Sequence, residues 1–90
     1  MTSYFSKRLE ITNKLKQMMI NRLKLELDVN EIDNDAPLFG AGLGLDSIDA
    51  LEIFVGVEQE FSISLKQNQH EIFRSINSIV DYIFSNEKFK

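Results

Sequence analysis

Few residues in this chain have the type and spacing to do chemistry. Ser47 lies in the run Gly44-Leu45-Asp46-Ser47-Ile48-Asp49-Ala50-Leu51-Glu52-Ile53, with a carboxylate on either side. A serine becomes a nucleophile only beside a general base. The single histidine, His70, falls in a later polar segment, and no strand, turn and helix elbow surrounds the serine. His70 also has no second ligand with which to hold a metal, so it reads as a surface or packing residue. Asp28 to Asp35 is rich in carboxylates but lacks the central glycine and closing glutamate of a calcium loop. There is no cysteine, so disulfides, thiolate catalysis and sulfur-ligated zinc are excluded, and any thiol the protein uses is imported. By base rate a serine at a helix start is structural. The chemistry left to Ser47 is modification: a phosphodiester there would face unpaired N–H groups and the positive end of a helix dipole.

The elements that position Ser47 follow from periodicity. From Ser6 to about Leu25 the apolar residues Ile11, Leu15, Met18, Met19 and Leu23 recur at three- and four-residue spacing, which predicts an amphipathic helix. Asp28 to Leu45 carries Asn30, Asn34, Pro37, Gly40, Gly42 and Gly44 and reads as a long loop, with Ile32, Leu38, Phe39 and Leu43 available to pin it to the core. Glycines 40, 42 and 44 are loop punctuation, or they let another enzyme approach the backbone closely. Asp46 is the expected N-cap of a second helix running to about Phe61, which puts Ser47 at the first helical position. A polar break follows from Ser62 to Asn68, then a short helical turn over Gln69 to Phe73 and a last helix over about 76–85, capped by Ser75. Phe61 to Leu65 alternates weakly, and no strand is expected. The fold class is therefore all-α: a small bundle of three main helices and one short one, in a single domain over 1–90.

The second helix has two apolar faces. With Ser47 at zero and about 100° per residue, Ala50, Ile53, Phe54, Val57 and Phe61 fill an arc from roughly 240° to 340°, the core face. Ile48, Leu51 and Val55 lie at roughly 40° to 100°, on the side of Ser47 and bordered by Glu52, Glu58 and Gln59. Either the loop covers this second strip, or the strip is a docking surface with an acidic rim.

Charge is segregated. Met1 to Leu27 holds six basic and two acidic residues, Asp28 to Leu65 no basic and nine acidic, and Lys66 to Lys90 four basic and three acidic, for a net charge of −4. The acidic middle would repel nucleic-acid phosphate and anionic lipid and attract cationic protein surfaces. No apolar run has the length of a signal peptide core or a membrane span, which makes a cytoplasmic location and no membrane insertion the expectation. Nothing in the pattern demands an oligomer, and a monomer is expected.

The run around Ser47 resembles the phosphopantetheine attachment motif of acyl carrier proteins, whose usual core is Asp-Ser-Leu. The first helix, the long loop, Glu58-Gln59-Glu60-Phe61 and Ile76 to Phe84 also fall where that family has them, so the resemblance covers nearly the whole chain. It implies that Ser47 accepts 4′-phosphopantetheine from coenzyme A through a phosphopantetheinyl transferase, with Asp46 as the flanking motif residue, and that the arm's thiol carries acyl groups as thioesters. It also implies a carrier rather than an enzyme. Its partners would be acyl-processing enzymes with basic docking patches in fatty-acid, polyketide or related lipid biosynthesis. Asp46, Ile48, Asp49, Glu52 and Glu58 match the family's partner-recognition positions, and the helical wheel adds Leu51 and Val55. Ile48 stands where leucine is more usual. Phe39 to Gly44 is glycine-rich where common fatty-acid carriers are acidic, with one extra residue, which points to a specialised member. An aminoacyl, D-alanyl or peptidyl cargo, or an unmodified acidic helical adaptor, are the alternative readings.

Overall fold

The computed structural model describes residues 4–40, 42–65 and 70–87, and contains three helices: α1 (Tyr4–Leu23), α2 (Ser47–Phe61) and α3 (Ile76–Glu87). Single 3-10 turns, Val29–Glu31 and His70–Phe73, interrupt the two connections, and no strand occurs among the described residues. The first helix ends two residues before the expected Leu25. Lys24 turns left-handed (φ 54°) and the Leu25 N–H reaches back to the Ile20 carbonyl at 3.1 Å, a closure that satisfies an end carbonyl and cannot be continued as helix.

The expected stripe of α1 is the buried one. Ile11, Leu15, Met18 and Met19 are all within the core, together with Ile53, Val57 and Phe61 of α2 and Ile76, Ile79, Val80 and Ile83 of α3. Ala50 and Phe54, also assigned to the core face of α2, are half-buried. Burying a side chain of this size is worth about 1.5–3 kcal/mol, so these stripes supply the main force that assembles the helices. α1 packs against both α2 and α3, whereas α2 and α3 approach each other less closely. Connection residues fill the difference: Ile32, Leu38, Leu45, Ile63, Leu65 and Phe73 are buried.

Two details of the connections were only partly legible. Phe61, Ile63 and Leu65 are buried while Ser62 and Ser64 are exposed, so the weak alternation does report an extended segment with one face on the core, although it pairs with no strand. Lys16, on α1, is buried at 7% exposure and donates to the Ile32 carbonyl at 2.8 Å, tying the long loop to the helix. Farther along, the Leu38 N–H donates to the Arg74 carbonyl (3.0 Å) and the Asn77 N–H to the Asn34 carbonyl (2.9 Å). The loop is thus fixed at both ends before it delivers the chain to α2. Ser75 caps α3 as expected: its Oγ accepts from the Ser78 N–H at 3.2 Å, and Ser78 Oγ accepts in turn from the Ser75 N–H at 3.0 Å.

Candidate functional site

The start of α2 is built by a reciprocal cap. Asp46 has extended backbone, and its Oδ1 accepts from the Ile48 N–H at 3.1 Å and the Asp49 N–H at 3.0 Å. Asp49 Oδ2 accepts in return from the Asp46 N–H at 3.0 Å. An aspartate at the third helical position is short for this role but reaches, and its charge suits the positive helix end. The loop aims this cap: the Leu45 N–H donates to the Leu38 carbonyl (3.1 Å), the Leu43 N–H to the Pro37 carbonyl (3.1 Å), and Phe39 bridges to Leu45.

Ser47 follows the cap as the first residue of α2, and it is exposed. Its N–H lies outside the Asp46 cap, and among the described residues its side chain takes no hydrogen-bond partner. Beside it opens a cleft of about 540 Å³ walled by Phe39, Leu45, Ala50 and Phe73, with Asp46 and Ser47 at its edge. Phe73 also meets Phe54 in a tilted ring pair with centroids 6.2 Å apart. This cleft lies between the start of α2, the loop that precedes it and the short turn that holds Phe73.

The second apolar strip is not covered by the loop. Ile48 is 74% exposed and Leu51 64%, while Val55 is half-buried. Four residues of the expected surface, Asp46, Ile48, Leu51 and Glu52, are thus open to solvent, and Asp49 is half-buried in the cap. Glu58 is used differently. It is half-buried, and its Oε2 accepts from the Leu65 N–H at 2.9 Å and holds the chain leaving α2. Glu52 does not stand alone either, because Arg22 of α1 crosses to it at 3.3 Å and donates to Gln59 at 2.6 Å. The sequence contained no signal for these two contacts, which join residues 30 and 37 positions apart.

Gly42 has a role set by space. A methyl group there would overlap the Pro37 carbonyl oxygen, so the loop closes on itself only with glycine at that position. This is loop construction, one of the two roles open to the glycines on sequence grounds.

Residues 13–83 match the family model described as "Phosphopantetheine attachment site". The chain is 32% identical over 76 residues to the acyl carrier protein of Phytoplasma australiense, an alignment that covers 84% of this chain and 96% of that protein. It belongs to the acyl carrier protein family. The acyl carrier protein of Porphyromonas gingivalis is 29% identical over 79 residues, covering 88% of this chain and 97% of that one. The mitochondrial acyl carrier protein of Saccharomyces cerevisiae is 44% identical over 48 residues, 53% of this chain and 38% of that one. Members of the family are carriers rather than enzymes, and the group they bear is a covalently attached 4′-phosphopantetheine. No described helix is long and apolar enough to cross a membrane.

Proposed function

We propose that Ser47 is the attachment residue and that this chain carries acyl groups on a 4′-phosphopantetheine arm fixed there. The observation that carries this reading is the exposed Ser47 hydroxyl, which takes no hydrogen-bond partner among the described residues, at the first position of a helix whose start is held by Asp46 and Asp49. When attached, the group supplies a terminal thiol for thioester chemistry, which a chain without cysteine cannot provide itself. Everything else falls to residues of the chain. Asp46 keeps the first turn of α2 ordered, which fixes the backbone position from which the hydroxyl is offered. The Ser47 N–H, outside the cap, and the positive helix end favour a phosphodiester at this position. No described side chain hydrogen-bonds to Ser47 Oγ, so the base that takes its proton belongs to the phosphopantetheinyl transferase.

Ile48 and Leu51 form the apolar centre of the docking surface, with Val55 at its edge and Asp46, Asp49 and Glu52 supplying charge; Glu58 contributes its carboxylate from a half-buried position. Partners are acyl-processing enzymes with basic patches, in fatty-acid, polyketide or related lipid biosynthesis. The chain works as a cytoplasmic monomer. A tethered cargo reaches each active site at high effective concentration, and weak electrostatic docking lets the carrier leave for the next enzyme. The apolar walls Phe39, Leu45, Ala50 and Phe73 suit the cleft beside Ser47 to shelter an acyl chain.

Intact mass of the protein after incubation with coenzyme A and a phosphopantetheinyl transferase tests the reading. A carrier gains one phosphopantetheine and Ser47→Ala gains none. An unmodified wild-type chain would support an adaptor instead.

A further inference from the structure

The rim of α2 is not evenly available to a partner. Across its middle, from Glu52 to Gln59, the side chain of Arg22 crosses from α1, placing Nη1 3.3 Å from Glu52 Oε1 and Nη2 2.6 Å from Gln59 Oε1. The crossing depends on Gly56, which lies between those two residues on the same side of α2. A methyl group there would come within 2.8 Å of Arg22 Cδ, 2.9 Å of Arg22 Nε and 2.5 Å of Met18 Sδ. The stem is thus seated against helix backbone, and the side chain of Arg22 is 29% exposed against 49% for Glu52. Much of the entropy of ordering this long side chain is spent on folding, which makes the guanidinium an effective competitor for Glu52. Glu58 is also engaged, with the Leu65 N–H. Among the described residues Glu52 is thus the one carboxylate of α2 and its cap that pairs with a cation of the chain. Asp46, Asp49 and Glu58 accept only backbone N–H groups and keep their charge, and Ile48, Leu51 and the acidic cap are the exposed surface left without a cation.

We infer that Arg22 is a specificity-determining residue: it competes with a partner's cations for Glu52 and confines docking to the Ser47 end of α2. The inference rests on the carrier reading above. A partner with one cationic patch near Ser47 docks without disturbing Arg22. A partner whose patch extends along α2 has to displace it. Arg22 thereby weakens docking by extended basic surfaces, which suits a carrier that must leave each enzyme.

The test uses the full chain, coenzyme A and a phosphopantetheinyl transferase chosen for an extended basic docking patch. Arg22→Met keeps an unbranched stem against Gly56 and removes the cation. It is expected to lower the KM for the carrier about two- to fivefold, the scale of one surface ion pair, with kcat unchanged. Lys7→Met removes the same charge at the far end of α1 and controls for net charge; its effect is expected to stay under about 1.5-fold, because long-range attraction is screened. A KM for Arg22→Met that equals that of Lys7→Met, or exceeds the wild-type value, overturns the inference while leaving Ser47 in place. Failure of the wild-type chain to be modified overturns both readings. Should Arg22→Met not fold, titration of the wild-type protein with the transferase decides instead: the Arg22 Nε–Hε resonance moves if the guanidinium is displaced, and an unmoved resonance overturns the inference.

Discussion

Gly56 of α2 and Arg22 of α1 are matched: the space that a methyl group on Gly56 would need is taken by Arg22 Cδ and Nε, at 2.8 and 2.9 Å, and by Met18 Sδ at 2.5 Å. Gly56→Ala sets two effects against each other. Helix propensity improves by about 1 kcal/mol, whereas overpacking against buried Met18 costs about 1–3 kcal/mol. Packing wins, and stability in urea is expected to fall by about 1 kcal/mol. The Arg22 side chain would also lose its seat and its contacts with Glu52 and Gln59.

Asp46 separates capping from charge. Its Oδ1 accepts two N–H groups, so Asp46→Ala should cost about 1 kcal/mol in chemical denaturation. Asp46→Asn keeps the acceptor and loses the charge; it should remain within a few tenths of a kcal/mol of wild type, since asparagine caps about as well as aspartate. Equal losses for the two variants would mean that the cap is not what orders the start of α2.

Neighbouring apolar residues of α2 should behave as two classes. Ile48 and Leu51 are 74% and 64% exposed, so alanine there should change stability by less than about 0.5 kcal/mol while weakening partner docking. Ile53 is 1% exposed, and Ile53→Ala should cost about 2–5 kcal/mol. Denaturation curves paired with transferase kinetics distinguish a surface for partners from a surface for the core.

How far the sequence carried depended on the range of the interactions. The stripe Ile11, Leu15, Met18 and Met19, the cap at Asp46 and the position of Ser47 rest on spacings of a few residues, and these were legible. The two faces of α2 were legible too, because helical geometry alone separates Ile48 and Leu51 from Ile53 and Val57. The reach of Arg22 to Glu52 and Gln59 was not, nor was the turn of Glu58 toward Leu65, since each depends on how separate elements pack or where the chain goes after a helix ends. The burial of Lys16 was hidden for the same reason: its carbonyl partner belongs to Ile32 in the loop. The end of α1 falls two residues early because a left-handed lysine is a poor sequence signal compared with a glycine.

One hydroxyl among several serines is the proposed attachment point, and fragmenting the peptides of transferase-treated protein tests it most directly. The added phosphopantetheine is expected to map to Ser47 alone, and Ser47→Ala to abolish the addition without loss of fold. A modification mapped to Ser62, Ser64 or Ser75, or one that persists in Ser47→Ala, would contradict it.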